Sequence, residues 1–302
     1  MTATPTTPTQ QAPPPAEQVT SPRARRRRRM IRRFMHRRIA VVGGVFSLLF
    51  VLVAVFAPWL APYSPTASDF QEVLISPSPP HPFGTDELGR DIFSRVIFGA
   101  RASIAAGVLA TVVAMVIAVP IGLVAGYYRG SVDMVIMRVN DALLAFPFLI
   151  LAVGLAAILG PSLVNAALAI GLSYVPNVVR VTRGEVMALR EEDYVEGAVA
   201  NGANDVVILR RHILPNVMNT LMVQGTVLIP QAIIAESLLS FLGLGVQPPT
   251  PSWGVMLSSA QAYIDQAWWP ALYPGLAIFV ATLAFNLFGD GLRDVLDPKA
   301  LR

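Results

Sequence analysis

Long uncharged apolar runs constrain this chain more than any other feature of its sequence. They occupy residues 39–60, 102–128, 142–179, 217–241 and 267–289, and a single carboxylate interrupts the fourth. A helix needs roughly 20 apolar residues to cross the hydrocarbon core of a bilayer, and each run reaches that length. Only 14% of the residues are charged, whereas a typical soluble domain has about a quarter. The chain has too few charges to cover a soluble surface, so the predicted fold class is an all-α integral membrane protein.

These runs predict six transmembrane helices. The run 142–179 is long enough for two spans, and Gly160-Pro161-Ser162 supplies the turn between them. The first run has an apolar core that is too long for a signal peptide, and Pro62 just after it disfavours cleavage. We therefore interpret it as a first span that is retained.

The arginines predict the orientation of the spans. Ten of the 23 basic residues lie between Arg23 and Arg38, directly before the first span. Basic residues are enriched in cytoplasmic segments, so this run predicts a cytoplasmic N-terminus, and six spans return the C-terminus to the same side. The inner segment 180–216 is rich in arginine and the outer segment 244–266 has no basic residue, but the outer segment 62–101 is a partial exception. A second interpretation of the arginine run is a site for acidic lipid or RNA; its position against a span favours the orientation signal.

The inner segment 180–216 predicts two short helices. Asp193 and Glu196 have the spacing of a capping box, in which the aspartate accepts a backbone N–H and the glutamate reaches back. The first helix then covers about residues 194–201. Gly202 can adopt the left-handed conformation that ends a helix.

The second helix predicted in this segment begins after Asn204, which can cap it, and stops near Leu214 because Pro215 follows. The first helix has only about two turns, and a helix that short is marginal in water by itself. Gly197 and Ala198 give it a slim surface that can enter a groove. Two interpretations stay open at this point: the helix docks on a partner, or it packs only on the spans of its own chain.

Residues 196–198 (Glu-Gly-Ala), Gly202 and 214–215 (Leu-Pro) resemble the EAA loop of ABC importer permeases. In that family the loop forms a coupling helix, which sits in a cleft of the ATPase subunit and transmits its motion to the spans. The sequence departs from the general pattern at Gly197, which replaces an alanine, and at His212, where many members have isoleucine.

Four segments are similar to the dipeptide and oligopeptide branch of that family, in its C-type permease. They are 81–91 (HPFGTDELGRD), 211–216 (RHILPN), 240–254 (SFLGLGVQPPTPSWG) and 286–294 (NLFGDGLRD). The matches occur in order and cover about residues 80–298. The resemblance implies a type I ABC importer permease fold with six transmembrane helices.

The resemblance, together with the helix signals, predicts an ATPase-docking surface on this loop. Its residues are Asp193, Tyr194, Glu196, Gly197, Ala198, Asn201, Gly202, Ala203, Asn204, Arg210, His212 and Pro215. We interpret His212 as a residue that bonds carbonyl groups at a helix end, in preference to a proton relay.

The resemblance also implies partners. They are a second homologous permease subunit, two ABC ATPase subunits or one two-domain ATPase, an extracytoplasmic substrate-binding protein and membrane lipid, with no nucleic acid. No cofactor is expected in this chain, because ATP and Mg would bind the ATPase subunits. The expected location is the bacterial plasma (inner) membrane. Dipeptides and oligopeptides are the expected substrates, with nickel or haem-like cargo as alternatives.

Motifs for covalent chemistry are absent from the sequence. A P-loop needs a lysine after glycine, and the only lysine, Lys299, follows Pro298. There is no H-E-x-x-H or G-x-S-x-G motif and no cysteine, so we predict no catalytic residue and no metal site. These absences count against an intramembrane hydrolase. A stand-alone channel or secondary transporter is the other alternative, and the low charge of the spans disfavours it.

Glu236 interrupts the run 217–241. Ionisable groups in a span are costly and often face a pore or a polar partner. The predicted pathway or gate residues are therefore Gln231, Glu236 and Ser240. The alternative, a structural carboxylate paired at a bend, is the one that we favour for Glu236. Near the third span, Arg138 and Asp141 have the spacing of a facing helical pair.

The predicted domain organisation has five parts. A disordered Pro/Thr-rich and then Arg-rich tail (1–38) precedes the first span (39–60) and an extracytoplasmic segment (61–101). The core permease domain (102–293) holds five spans and the coupling loop, and a cytoplasmic tail (294–302) ends the chain.

Overall fold

The computed structural model describes residues 38–296. Nearly all of the predicted N-terminal tail and most of the predicted C-terminal tail lie outside the described residues. Every regular element in the described range is a helix, which confirms the predicted all-α class. In chain order these are α1 (Arg38–Leu60), α2 (Ile92–Tyr128), α3 (Gly130–Leu144), α4 (Phe148–Leu159), α5 (Leu163–Arg190), α6 (Asp193–Ala200), α7 (Asp205–Val207), a π-helical turn (Ile208–Ile213), α8 (Leu214–Phe241), α9 (Trp253–Ala260), a 3₁₀ turn (Gln261–Tyr263) and α10 (Trp269–Leu296).

Five helical stretches in this range are long and apolar enough to cross a membrane. They are α1, α2, α5, the continuous stretch from α7 through α8, and α10. The helices α3 and α4 pass the same test only as a pair, and the pair is bent by 89°. Counted as one broken span, this pair completes the six spans that the sequence predicts.

The bend between α3 and α4 corrects one predicted boundary. The sequence predicted a third span that begins at Ala142, but α3 begins at Gly130 and already ends at Leu144. Pro147 stands at the break in an extended conformation. A proline disfavours the helical conformation at the residue before it. The chain therefore turns at this point, and the third span consists of two short helices.

Small residues let α2 and α5 approach closely. Ala110, Ala114 and Ala118 recur every four residues along α2 and are fully buried. A Cβ atom on Gly122 would lie 2.6 Å from the Cβ of Thr182 on α5, so only glycine fits there. Membrane helices associate through such close packing of small residues. The α2–α5 pair therefore forms the centre of the fold, and the loop that contains α6 follows directly from its end.

Candidate functional site

The short helix α6 begins one residue earlier than the sequence predicted. The cap is Glu192, whose backbone carbonyl accepts the N–H groups of Val195 at 2.8 Å and Glu196 at 3.2 Å. Asp193 is already the first helical residue, and no side chain caps this end. The predicted capping box is therefore wrong, because the extended backbone that a cap requires occurs at Glu192. Asp193 and Glu196 still place two negative charges in the first turn, where the helix dipole favours them.

The end of α6 confirms the conformation predicted for Gly202. Its φ is +76°, in the left-handed region. The N–H of Gly202 donates to the carbonyl of Val199 at 2.9 Å, and two further bonds complete the turn. Ala203 N–H donates to Ala198 at 3.1 Å, and the Asn201 side-chain amide donates to Gly197 at 2.7 Å. This pattern is a Schellman motif, which satisfies the last carbonyls of the helix.

The next helix also begins where predicted but does not end where predicted. The Asn204 side-chain carbonyl accepts the N–H of Val207 at 2.9 Å, which confirms the cap. The chain does not stop near Leu214, because a π-helical turn joins α7 directly to α8. Pro215 lies in the first turn of α8, where a missing N–H is tolerated. The prediction of a stop at Pro215 is therefore wrong.

Most of the predicted docking surface is exposed. Val195 is the buried residue of α6, which the structure describes in full, and it lies in an apolar cluster with Tyr127 and Ile208. Tyr194 is 42% exposed, and a Cβ on Gly197 would meet no atom within 4 Å. The exposed members are Asp193, Tyr194, Glu196, Asn201, Gly202, Asn204, Arg210 and Pro215, and the partly exposed members are Gly197, Ala198, Ala203 and His212.

A cavity of about 600 Å³ lies between α6 and the ends of α2 and α5. The Oη atom of Tyr127 donates a hydrogen bond to Asp205 Oδ1 at 2.8 Å. The guanidinium of Arg190 lies 5.4 Å from the centre of the Tyr127 ring, within cation–π distance. Arg129 pairs with Glu191 at 2.9 Å. Local sequence patterns do not predict the hydrogen bond of Tyr127, since its partner Asp205 is 78 residues away.

Two ion pairs join α3 to α5. Arg183 binds both carboxylate oxygens of Asp133, at 2.5 and 2.6 Å. Arg180 binds Asp141 at 2.7 Å, so Asp141 pairs with α5, although its spacing along α3 would let it face Arg138. A partner on the neighbouring helix reaches Asp141, which sequence spacing along one helix cannot reveal.

Two of the three predicted gate residues, Glu236 and Ser240, contact each other, and Gln231 lies apart from them. Glu236 is fully buried and accepts a hydrogen bond from Ser240 Oγ at 2.6 Å. Ser240 Oγ also accepts the N–H of Val246 at 3.1 Å. Gln231 is exposed in this single chain. The contacts of Glu236 and Ser240 are those of structural groups at the end of α8, and an assignment of the three residues to a pathway stays a prediction.

The segment between α1 and α2 carries a buried polar network. His81 contacts Asp91 at 2.8 Å and Glu72 at 2.9 Å through its two ring nitrogens. Burial lowers the pKa of His81, but the hydrogen bonds to Asp91 and Glu72 outweigh it and raise the pKa above its ordinary value of 6.5. Asp91 also accepts the N–H of Ser94 at 2.7 Å and so caps α2, which begins ten residues before the predicted span.

A second part of this network surrounds Asp86. Arg90 binds Asp86 at 2.7 Å and Glu87 at 2.8 Å, and Arg95 lies 3.3 Å from Asp86. The partial exception in the predicted orientation rested on three arginines, Arg90, Arg95 and Arg101, and the first two form local ion pairs. Among the described residues, no group of three or more His, Asp or Glu side chains could hold a metal ion.

The described chain is thus a bundle of helices that can span a membrane, with a short capped helix between α5 and α7. Residues 118–302 match the family model described as "Binding-protein-dependent transport system inner membrane component". Residues 26–80 match the "N-terminal TM domain of oligopeptide transport permease C". The first match covers more than half of the chain, so the chain belongs to this family of ABC importer permeases.

Relatives support the same assignment. The "Glutathione transport system permease protein GsiD" of Pectobacterium atrosepticum is 45% identical over 269 residues, with 89% of each chain covered. The protein of that name from Escherichia coli O6:K15:H31 is 46% identical over the same length and coverage. A Brucella suis permease, whose name assigns it provisionally to peptide transport, is 44% identical over 268 residues, 89% of this chain and 90% of its own. The resemblance drawn from the sequence motifs is confirmed, and the chain is a multi-pass inner-membrane permease subunit.

Proposed function

We propose that this subunit forms half of the translocation pathway of an ATP-driven importer for small peptides and that α6 is its coupling helix. A homologous second permease forms the other half, and ATP is hydrolysed by separate ATPase subunits. An extracytoplasmic binding protein delivers the substrate. In this arrangement the N- and C-termini and α6 face the cytoplasm.

The exposure of α6 carries this proposal. The helix has a complete C-terminal cap, one buried side chain and an open surface at Gly197, where an added Cβ would meet nothing. A two-turn helix has little stability by itself, so it gains order from its caps and from whatever covers its outer face. The surface that it presents is slim enough to enter a cleft of a partner. Docking on an ATPase explains why the outer face of this helix is exposed, while Val195 on its inner face packs against α2 and α5.

The nature of the relatives supports the substrate class. Two are named as glutathione permeases, and the N-terminal region matches a domain of oligopeptide permeases. Glutathione is itself a modified tripeptide, so small peptides are the substrate class that glutathione and oligopeptides share. Uptake of labelled glutathione and of labelled dipeptides, in cells with and without this subunit, tests the class. Uptake of nickel or haem alone would contradict it.

Co-purification tests the docking role. We expect Gly202→Val to disrupt α6, because valine is strained at a φ of +76°, and to abolish binding of the ATPase subunits in mild detergent. Gly202→Asn is the matched control, because asparagine tolerates this conformation, and it should retain the ATPase. Both variants should reach the membrane.

Two outcomes would contradict the docking role. One is full ATPase binding and uptake by Gly202→Val. The other is a wild-type chain that purifies as a homo-oligomer with no ATPase, which would favour a channel or a secondary transporter.

A further inference from the structure

A hydrogen bond connects the end of α2 to the segment that follows α6. Tyr127 lies in the last turn of α2 and is 6% exposed, and its Oη atom donates to Asp205 at 2.8 Å. Asp205 is the first residue of α7, directly after the cap Asn204. The helix α7 continues through the π-helical turn into α8. This bond therefore connects the start of the α7–α8 stretch to the end of α2.

The ring of Tyr127 also contacts the apolar side of α6. Val195, which is 1% exposed, belongs to one cluster with Tyr127, Val186 and Ile208. The guanidinium of Arg190, at the end of α5, lies over the same ring, 5.4 Å from its centre. Tyr127 is thus the side chain of α2 that meets α6 through its ring and α7 through its hydroxyl group.

Below Tyr127, α2 and α5 cannot move past each other freely. A Cβ on Gly126 would lie 2.7 Å from the Cβ of Val186, and Gly122 is equally close to α5. Close-packed interiors transmit displacement because they contain little free space. The segment around α6 is different, since Gly197 and Gly202 have open space around them. A displacement of α6 can reach this closely packed pair through residues 191–192, which join α6 to α5, and through the cluster around Tyr127.

We propose that the Tyr127–Asp205 hydrogen bond is the link that carries a displacement of α6 into α2 and, through α2, into the α2–α5 pair. Tyr127 and Asp205 are then positioning residues for transport, which touch neither substrate nor ATP. Their role is to make α2 and α5 move together with the coupling helix. This inference rests on the proposed role of α6.

The decisive variant is Tyr127→Phe, which removes the hydroxyl group and keeps the ring that Val195 and Arg190 contact. The complete importer, reconstituted in liposomes with its ATPase subunits and binding protein, is assayed for substrate taken up per ATP hydrolysed. We expect this ratio to fall about tenfold, the scale of one hydrogen bond to a charged group. ATPase subunits should still co-purify, and ATP hydrolysis should continue.

Further variants separate a specific bond from a general loss of packing. Asp205→Asn keeps an oxygen that accepts the bond and should retain near-normal coupling, whereas Asp205→Ala should lose at least as much coupling as Tyr127→Phe. The double variant Tyr127→Phe/Asp205→Ala should be no worse than Asp205→Ala alone, because that change already removes the bond. Tyr273→Phe, far away where its ring stacks on Phe83, is the matched control and should change nothing. Tyr128 is unsuitable as a control, since it also lies beside Asp205.

Each contrary result has a clear meaning. A normal uptake-to-ATP ratio for Tyr127→Phe would overturn the inference and leave the docking role of α6 intact. Loss of ATPase binding in Tyr127→Phe would also overturn it, because the bond would then serve assembly. Failure of the docking role itself would be seen first in Gly202→Val, independently of Tyr127.

Discussion

His81 is the residue through which the segment between α1 and α2 should respond to pH. Protonated His81 is the form that Asp91 and Glu72 stabilise, and the pKa in the folded protein is raised. The stabilisation is therefore complete below about pH 6.5, the value of free histidine, and is lost as the pH rises through the higher folded value. We expect hydrogen–deuterium exchange of this segment, corrected for its intrinsic pH dependence, to increase over that range.

Two histidine variants test this expectation. His81→Gln should show fast exchange in this segment at every pH, because it cannot carry the charge. His212→Gln, at the opposite side of the fold, should behave like the wild type. Protection in wild type that does not change with pH would contradict the role of His81.

Other single residues differ in how well local sequence predicts their contacts. The cap at Asn204 and the left-handed Gly202 were predictable, because each depends on the residue type and on neighbours a few positions away. The capping box at Asp193 was wrong by one position, since Glu192 holds the extended conformation. Tyr127 was missed because its partner is distant in the sequence and only the fold brings them together.

At the scale of elements, the apolar runs predicted that the spanning helices exist more accurately than they predicted the residues at which those helices begin and end. Length and composition place spans reliably, because an apolar segment has to leave water. The ends depend on caps and breaks. Pro147 ends α3 early, whereas Pro215 does not end a helix, because it falls in the first turn of α8 after a π-helical turn. The same residue type therefore has opposite effects, and only the neighbouring backbone decides between them.

The contact of α2 with α5 yields a stability prediction. Gly122→Ala places a methyl group 2.6 Å from Thr182, so the helices must separate, which should cost about 1–3 kcal/mol. Gly154→Ala in α4 is the control, because an added Cβ there meets nothing within 4 Å. Thermal unfolding in detergent should show a lower Tm for Gly122→Ala alone. Equal Tm values for the two variants would show that the close contact does not limit stability.

At the scale of the whole molecule, the sequence predicted the class of protein and the number of spans, but not how the spans pair. Arg183 binds Asp133 and Arg180 binds Asp141 across two helices, and no spacing rule along one helix points to such partners. The substrate cannot be inferred from the pairing of the spans, because no site among the described residues selects one cargo. The proposal of small peptides rests instead on the names of the relatives and of the matched N-terminal domain.

The central claim is that α6 lies against an ATPase subunit, and site-specific cross-linking tests it most directly. The chain has no cysteine, so Gly197→Cys introduces a single reactive thiol on the open face of α6. A cysteine-directed photo-cross-linker in intact membranes should join this position to the ATPase, whereas Gly154→Cys in α4 should not. We expect an adduct of permease and ATPase from Gly197→Cys alone. No adduct from Gly197→Cys in an importer that still transports, or equal adducts from both positions, would contradict it.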